Sequence, residues 1–298
     1  MLNRFTATLL LLLATMFWGF AFIAQKNAMA HMGPLTYIGA RYLLGGLCIL
    51  PLALREYGRR GIALSPRQWA LIALLSFNFF AGSWLQQAGL LFTTVTNSGF
   101  LTGLYVFFVP IFLMIVFRTA PHPLVWLCAP LALAGLFLLN GGRLDTMNQG
   151  DMLIIACAVF WGFHVLMLGY LARNTGLPIF VSAISFLAAG AAAELGSFAL
   201  EAPSLAAISA GWVEIAYAGI FSTAIAFTLQ AVGQVHVPPA NAAIILSGEA
   251  LFAALGGAVL LGERLSPMGY VGAGLIFAAI VMVETVPALM SQWRTQRA

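Results

Sequence analysis

The stretch Phe17–Phe20, with the sequence Phe-Trp-Gly-Phe, occurs a second time at Phe160–Phe163, 143 positions later. Both copies lie inside long apolar runs of a chain of 298 residues. A segment repeated at about half of the chain length indicates two related halves. This repeat decides the fold, because the second half is then expected to form the same set of structural elements as the first.

Further matches continue outward from this stretch at a constant spacing. After one extra residue the spacing becomes 144 and holds as far as Pro267. Chance does not supply so many matches in order without a large gap. The matched pairs are Pro34 with Pro178, Gly46 with Gly190, Gln86 with Gln230, Gly89 with Gly233, Asn97 with Asn241, and Pro123 with Pro267.

The composition indicates a membrane protein. Hydrophobic residues make up 62% of the chain and charged residues only 7%, whereas a soluble domain carries about 25% charged residues. The formal charge of +4 comes almost wholly from arginine, and such an excess marks cytoplasmic ends of a membrane protein rather than nucleic-acid binding. Cys48, Cys128 and Cys157 are too widely spaced for a disulfide framework or a metal site and are expected to be small buried hydrophobes.

Ten apolar runs are long enough to cross a bilayer, which takes roughly 20 helical residues. They predict an all-α, polytopic membrane protein with ten transmembrane helices, called spans 1 to 10. Prolines near several run starts suit the first turn of a helix. The predicted spans cover residues 5–25, 35–54, 69–90, 97–117, 124–140, 151–171, 178–199, 212–231, 239–261 and 267–285.

The two halves are expected to be inverted repeats. Each holds five spans, an odd number, so the second half enters the membrane from the opposite side. One repeat is predicted at residues 1–143 and the other at residues 144–298. Arg4 and the small residues at 28–30 could instead frame span 1 as a cleaved signal peptide. A signal peptide, however, would have no reason to match span 6.

The distribution of Lys and Arg predicts the orientation. If the N-terminus is cytoplasmic, nine of these residues lie in cytoplasmic segments and three lie outside, while Arg41 lies within span 2. This bias favours both termini in the cytoplasm. The cytoplasmic set is Arg4, Arg55, Arg59, Arg60, Arg67, Arg118, Arg173, Arg294 and Arg297, and the external set is Lys26, Arg143 and Arg264.

Several motifs make the chain resemble a known family. Residues 17–19 in span 1, Ala40–Tyr42 in span 2 and Leu261–Leu265 at the end of span 9 are similar to the EamA family of the drug/metabolite transporter superfamily. The likeness covers nearly the whole chain. The segment Gly99–Pro110 looks like the branch associated with amino-acid and metabolite export. Among the departures, Ala250 stands where family members often have proline.

The resemblance implies a five-plus-five inverted fold in a bacterial inner (plasma) membrane, with both termini inside. It also implies transport of small organic solutes, often efflux. The expected partners are a small-molecule substrate and the lipid bilayer, with a homodimer left open and no nucleic acid. In the first half, Phe117–Thr119 replaces the Leu-Gly-Glu ending that closes span 9.

Charged side chains inside a span are costly, about 2.5–3.5 kcal/mol on insertion scales, so they usually face a cavity or a partner. Glu249, near the middle of span 9, is the leading candidate. It could take up a proton or meet a substrate ammonium, or it could be paired with Arg41. Arg41 itself could bind a carboxylate or pin span 2 to a neighbour. His164 could relay protons or be hydrogen-bonded in the bundle, and it shares a helix face with Trp161.

Polar residues at repeat-related positions add further candidates. Such pairs at mid-depth would surround a solute site between the halves. The alternative is hydrogen bonding between helices, which is favoured for the asparagine pair because both asparagines lie near span starts. The pairs are Gln86 with Gln230, Asn97 with Asn241, and Tyr105 with Glu249.

Aromatic residues and helix breakers complete the candidate list. Trp18 and Trp161 could line an aromatic cavity, although packing is the commoner role of aromatic residues in membrane helices. Pro110 in span 4 and Gly256-Gly257 in span 9 are expected to loosen their helices at mid-depth. Spans 1, 3, 4, 6, 8 and 9 are expected to line a central cavity that opens to each side in turn.

The sequence lacks the motifs of nucleotide-driven pumps and of membrane-embedded enzymes. Lys26 is the only lysine, so the chain has no phosphate-binding loop, and it has no His-Glu-x-x-His or Gly-x-Ser-x-Gly segment. A transporter without cofactor, metal or catalytic residue is therefore expected, not an enzyme. A sensor or scaffold that keeps the fold without transporting is the main alternative. A membrane-embedded enzyme is a weaker one.

Overall fold

The ten predicted spans are confirmed as helices in the computed structural model, which describes residues 3–142, 147–260 and 264–295. Within these ranges nine helices are long and apolar enough to cross a bilayer, and the tenth, Val125–Leu139, has 15 residues. At 1.5 Å per residue it spans roughly 22 Å, less than the roughly 30 Å hydrocarbon core. Arg143, residues 261–263 and Arg297, used above to predict orientation and family, lie outside the described residues.

The helix bounds follow the repeat. Spans 1, 2, 3, 5, 6, 7 and 10 are Arg4–Ala28, Pro34–Arg60, Pro66–Gly89, Val125–Leu139, Gln149–Thr175, Pro178–Leu200 and Pro267–Thr295. Span 4 is Val95–Thr102 with Tyr105–Phe117, and span 9 is Pro239–Leu246 with Glu249–Leu260. Span 8 joins Trp212–Ala216, the π-helix Tyr217–Phe227 and Thr228–Gly233, preceded by a short helix at Leu205–Ala210.

Proline and capping side chains start several spans as the sequence predicts. Proline costs no hydrogen bond in the first turn, where the N–H has no partner within the helix. Ser65 caps span 3 by accepting from the Gln68 N–H at 3.3 Å, and Ser266 caps span 10 in the same way. The spans that begin at a proline are spans 2, 3, 7, 9 and 10.

Spans 4 and 9 are broken at repeat-related positions. In span 4 the α-helix ends at Thr102 and restarts at Tyr105. In span 9 it ends at Leu246 and restarts at Glu249, 144 residues later in each case. The repeat therefore places one discontinuous helix in each half, a feature of membrane proteins that bind solutes between inverted repeats.

Hydrogen bonds between residues three apart tighten the backbone at both breaks. The N–H of Leu104 donates to the carbonyl three residues earlier at 3.2 Å, and the N–H of Gly248 does so at 3.0 Å. Such 3₁₀ turns often mark a hinge. Pro110 and Gly256-Gly257, where loosening was expected, lie inside continuous helices. The interruptions of spans 4 and 9 thus lie at other positions than these residues, because packing by neighbouring helices tolerates proline and glycine within a membrane helix.

Span 8 departs from the symmetry of the repeat. The π-helix Tyr217–Phe227 occupies eleven residues of it, whereas the equivalent residues 73–83 of span 3 are α-helical. A π-helix is wider than an α-helix and is frequently found at functional sites. This one lies beside Trp18, whose indole N–H donates to the Ser222 carbonyl at 3.0 Å.

Spans 2 and 7 form an antiparallel pair between the halves. At one end the Glu201 carboxylate accepts hydrogen bonds of 2.8 Å from the N–H groups of Leu35 and Thr36, at the start of span 2. At the other end the Glu56 carboxylate accepts one of 2.8 Å from the Phe180 N–H, at the start of span 7. An acid at a helix N-terminus supplies the missing acceptor and suits the helix dipole. Each span thus caps its partner.

Candidate functional site

An internal cavity lies between the halves at the depth of the two helix breaks. Its open space is about 50 Å³, enough for a few water molecules at roughly 10–15 Å³ each. Spans 1, 2, 3, 4, 6, 8 and 9 contribute side chains. Six of these spans were expected to line the cavity, and span 2 joins them through Arg41 and Tyr42.

Two ionisable side chains, one acidic and one basic, face this cavity without pairing. Glu249 and Arg41 are only 7% and 3% exposed. Arg41 donates to the Tyr42 hydroxyl at 2.9 Å, and its guanidinium carbon lies 4.5 Å from the centre of that ring. The single ion pair within the described residues, Arg4 with Glu284, lies elsewhere. The Glu249–Arg41 pair considered above is therefore not formed, and both side chains remain available to a ligand.

Six residues that line the cavity carry a buried polar side-chain atom with no hydrogen-bond partner among the described residues. Leaving such a group unsatisfied costs about 1–3 kcal/mol, so native proteins rarely do it. Water or a polar solute in this cavity can complete these bonds. The atoms are Gln25 Oε1, Arg41 Nε, Trp161 Nε1, His164 Nδ1 and Nε2, Gln230 Oε1 and Glu249 Oε1.

Tyr105 and Glu249 hold equivalent places at the two breaks. Each is the first residue of the restarted helix, and both line the cavity. The breaks thus bring a phenol and a carboxyl to the same cavity between the halves.

Aromatic rings form one wall of the cavity. Trp161 and His164, three residues apart on span 6, meet edge to face with ring centres 5.4 Å apart, as their spacing predicts. Phe227 stacks on Trp161 at 5.8 Å and lies 4.6 Å from Trp18. These rings offer a solute an apolar face beside the polar atoms.

The structure brings together eight of the ten candidate residues at this cavity. Asn97 and Asn241 are the two that it does not place there. Their side chains instead form hydrogen bonds at opposite ends of the bundle. The eight are Trp18, Arg41, Gln86, Tyr105, Trp161, His164, Gln230 and Glu249.

Sequence reasoning missed several lining residues. Gln25 lies two helical turns beyond Trp18, and Phe227 lies three residues before Gln230. Helical spacing from an identified candidate would have pointed to both. Ser222 had no such signal, because the π-helix that presents it leaves no pattern in the sequence.

A larger cavity of about 720 Å³ opens between spans 1, 4, 5 and 9. It lies at the end of the bundle that carries Lys26, called the Lys26 end; the opposite end, which carries Arg4, is called the Arg4 end. Ala250 and Ala253, on the restarted helix of span 9, form part of its wall. Because Glu249 lines the internal cavity and Ala250 lines the larger one, the two cavities approach each other at the span 9 break.

The equivalent region at the Arg4 end is more tightly packed. Thr96 is exposed on the wall of the larger cavity, whereas its counterpart Ala240, 144 residues later, is buried. Ala253 is partly exposed, whereas its counterpart Val109 is buried. The first half of span 4 and the second half of span 9 thus line an open cavity at the Lys26 end. The equivalent first half of span 9 and second half of span 4 are packed at the Arg4 end.

Ten apolar helices in two repeats, with a polar cavity between the repeats, define the class of polytopic membrane transporters. The chain belongs to the EamA-like transporter family, whose model matches residues 5–141 and again residues 148–285. It is thus an integral membrane protein of a transporter family and not an enzyme.

Relatives and a solved structure agree with this assignment. An uncharacterized transporter of Archaeoglobus fulgidus is 28% identical over 95% of this chain and 87% of its own. The uncharacterized transporter YwfM of Bacillus subtilis is 28% identical over 94% of each chain. The uncharacterized inner membrane transporter YedA of Escherichia coli is 29% identical over 89% of this chain and 86% of its own. One crystal structure shares the fold, with a TM-score of 0.78 at 19% identity over 97% of this chain and 99% of that one.

Proposed function

We propose that this protein exports small zwitterionic solutes, namely amino acids or related metabolites, by alternating access. The observation that carries this proposal is the internal cavity, where six residues present unpartnered polar atoms and the acidic Glu249 and basic Arg41 side chains do not pair with each other. A zwitterion would place its ammonium group against Glu249 and its carboxylate against Arg41. The Trp161 ring would lie along the remaining part of the solute.

The difference between the two ends supports alternating access. Two similar halves can exchange conformations, and the exchange turns a structure that is open at one end into one that is open at the other. In either of its two states, such a pair of halves has a cavity at one end and a packed region at the other. The larger cavity lies at the Lys26 end and the packed region at the Arg4 end.

We place the Arg4 end in the cytoplasm, so that the larger cavity opens outward. Short connections flanked by Arg or Lys stay on the cytoplasmic side, and Arg59 and Arg60 at the end of span 2 and Arg67 at the start of span 3 lie at the Arg4 end. The name of the Escherichia coli relative specifies an inner membrane transporter, and we propose the same membrane for this protein.

Exchange in proteoliposomes tests the proposal. Purified protein is reconstituted into vesicles loaded with one unlabelled compound each, and uptake of the labelled compound is followed with and without a pH gradient. The panel contains amino acids, the corresponding amines without the carboxylate, and the corresponding acids without the ammonium group. Exchange of amino acids above that of protein-free vesicles, with weaker exchange of both truncated sets, is the expected result.

Glu249→Gln and Glu214→Gln provide a matched pair of variants for this assay. Both remove one acid, but only Glu249 lines the cavity. Exchange should fall in Glu249→Gln and persist in Glu214→Gln. Correctly folded protein that exchanges none of the panel would count against transport of zwitterions and favour a sensor or scaffold with a transporter fold.

A further inference from the structure

Two polar clusters occupy opposite ends of the bundle at repeat-related positions. Each surrounds an asparagine at the start of a broken helix, Asn97 in span 4 or Asn241 in span 9. Neither asparagine lines the internal cavity. The Lys26-end cluster consists of Thr93, Asn97, Asn140 and Asp151, and the Arg4-end cluster consists of Arg4, Thr8, Asn241 and Glu284.

The Lys26-end cluster ties span 4 to both of its neighbours. The Asn97 side chain donates from Nδ2 to the Asp151 carboxylate, at the start of span 6. Its Oδ1 accepts from Asn140 Nδ2, at the end of span 5, at 3.2 Å. The Thr93 hydroxyl also donates to Asp151, at 2.6 Å. The first half of span 4 is therefore held by side chains from spans 5 and 6.

The Arg4-end cluster ties span 9 to its own neighbours. Asn241 Nδ2 donates to the Val283 carbonyl at 3.1 Å and lies 3.5 Å from a carboxylate oxygen of Glu284, both on span 10. Glu284 in turn accepts from the Thr8 hydroxyl at 2.9 Å and pairs with Arg4 at 3.0 Å, both on span 1. The first half of span 9 is therefore linked to spans 10 and 1.

The two clusters correspond residue by residue, although the acid changes place. Asn97 matches Asn241, and Asn140 matches Glu284, both at a spacing of 144. Asp151 on span 6 matches Thr8 on span 1 at the spacing of 143 that holds there. Each cluster thus has one acid, Asp151 on span 6 at the Lys26 end and Glu284 on span 10 at the Arg4 end. The same three-helix connection is made by different side chains.

The state of the two ends shows what these clusters do. The Lys26 end is open and the Arg4 end is packed, yet the cluster is formed at both. If the halves exchange conformations, each cluster passes through both environments. A contact that is formed at an open end and at a closed end is not the gate, because a gate contact would be broken at one of them.

We propose that Asn97 and Asn241 are positioning residues that keep the first half of each broken helix fixed to its neighbours throughout the transport cycle. The movement that opens one end and closes the other is then taken up at the 3₁₀ turns, Gly103-Leu104 and Ser247-Gly248. This inference rests on the alternating access of the proposed function. It assigns the fixed parts to residues 95–102 and 239–246 and the moving parts to residues 105–117 and 249–260.

Covalent bridging tests the proposal. In a background with Cys48, Cys128 and Cys157 replaced by serine, Asn97→Cys with Asn140→Cys is bridged by a short bifunctional methanethiosulfonate. Asn241→Cys with Glu284→Cys is the matched pair at the other end. Each unbridged pair should exchange more slowly because the cluster is lost, and bridging should restore exchange to within about twofold of the background, since the bridged parts do not separate.

A bridge across the larger cavity provides the contrast. Thr96→Cys with Ala253→Cys joins two walls of the cavity that must approach each other as it closes. The same reagent should lower exchange at least about tenfold there. A bridge at Asn97 and Asn140 that stops exchange as completely would overturn the proposal, because it would show that the cluster must open.

Labelling decides the question even if the protein exchanges none of the tested solutes. Ala240 is 2% exposed at the packed end, so a maleimide should label Ala240→Cys only when the Arg4 end opens. The bridge at Asn97 and Asn140 should leave the labelling rate unchanged, and the bridge at Thr96 and Ala253 should change it. Loss of labelling with the first bridge, or no labelling without any bridge, would contradict the proposal independently of transport.

Discussion

Spans 4 and 9 occupy equivalent places in the two repeats, but they present different chemistry to the cavity. Both break after the eighth residue of their first helix and restart after two intervening residues. Span 4 restarts with Tyr105, which is neutral, and span 9 restarts with Glu249, which is acidic. The backbone is thus nearly symmetric, whereas the side chains at its centre are not.

The same contrast recurs in the helices around these breaks. Trp18 uses its indole N–H on the Ser222 carbonyl of the π-helix, while the N–H of its counterpart Trp161 has no partner among the described residues. Likewise Gln86 donates to Thr102 at 3.1 Å, whereas the Oε1 atom of its counterpart Gln230 has no partner among the described residues. We infer that the backbone and the side chains serve different purposes. The symmetric breaks permit two conformations, and the asymmetric side chains recognise a solute that is itself asymmetric.

The largest expected effect separates Glu249 from Tyr105. A hydrogen bond to a charged group contributes about 1.5–3 kcal/mol, or roughly 10- to 150-fold. Glu249→Gln should therefore lower the exchange of a zwitterion on the order of 100-fold, whereas Tyr105→Phe should lower it only a few-fold. Initial rates at low solute concentration provide the measurement. Equal losses in the two variants would show that the two breaks are chemically equivalent.

The next effect concerns stability at Gly19 and its counterpart Gly162. A methyl group at Gly19 would lie 2.6 Å from the backbone nitrogen of Ala253, on span 9, whereas one at Gly162 would lie 3.1 Å from a side-chain carbon of Phe108. Overpacking costs about 1–3 kcal/mol, and a backbone contact is the harder of the two to relieve. Gly19→Ala should lower the melting temperature in detergent clearly more than Gly162→Ala does.

Equal melting temperatures for the two alanine variants would contradict this packing difference between the halves. A second readout separates stability from transport. Gly162→Ala should still exchange solute once its amount in the vesicles is matched to that of the unmodified protein, because its new methyl group lies no closer than 3.1 Å to its neighbours.

The third effect distinguishes the two tryptophans. Trp161→Phe removes an N–H that is free to bind solute, so the apparent affinity should fall about fivefold, the value of one neutral hydrogen bond. Trp18→Phe leaves the Ser222 carbonyl without its donor and should instead lower stability by about 1 kcal/mol. Concentration dependence of exchange and thermal unfolding, measured on both variants, test this. A loss of stability in Trp161→Phe together with a loss of affinity in Trp18→Phe would contradict the assignment of Trp18 as structural and Trp161 as solute-binding.

The smallest effect concerns the glutamine pair. Gln230 Oε1 has no partner among the described residues, so Gln230→Ala should raise the half-saturating solute concentration about threefold. Gln86→Ala should leave that concentration nearly unchanged, because Gln86 is committed to Thr102. Parallel titrations of the two variants with the same solute measure the difference. A larger rise in the half-saturating concentration for Gln86→Ala than for Gln230→Ala would contradict this prediction.

Much of the fold could be predicted because its signals are long and repeated. Apolar runs of the required length specify the spans, and pairs such as Pro34 with Pro178 specify the repeat. Glu249 and Arg41 stood out because a charge within an apolar helix is costly and therefore rarely incidental. These arguments need only the sequence and the bilayer.

The local backbone could not be predicted in the same way. The breaks fall at Gly103-Leu104 and Ser247-Gly248, where one glycine in each pair is a weak signal, and not at the more conspicuous Pro110. The π-helix Tyr217–Phe227 has no sequence signature, since tertiary packing decides between α and π hydrogen bonding. The partners of Asn97 likewise depend on how three helices meet.

Equilibrium binding to the purified protein tests the central claim most directly. The affinity of an exchanged amino acid, its amine and its acid would each be measured for the unmodified protein, Glu249→Gln and Arg41→Gln. The account predicts that the amine is insensitive to Arg41→Gln, that the acid is insensitive to Glu249→Gln, and that the amino acid loses affinity in both variants. If all three ligands respond alike to both substitutions, Glu249 and Arg41 do not hold opposite ends of a zwitterion.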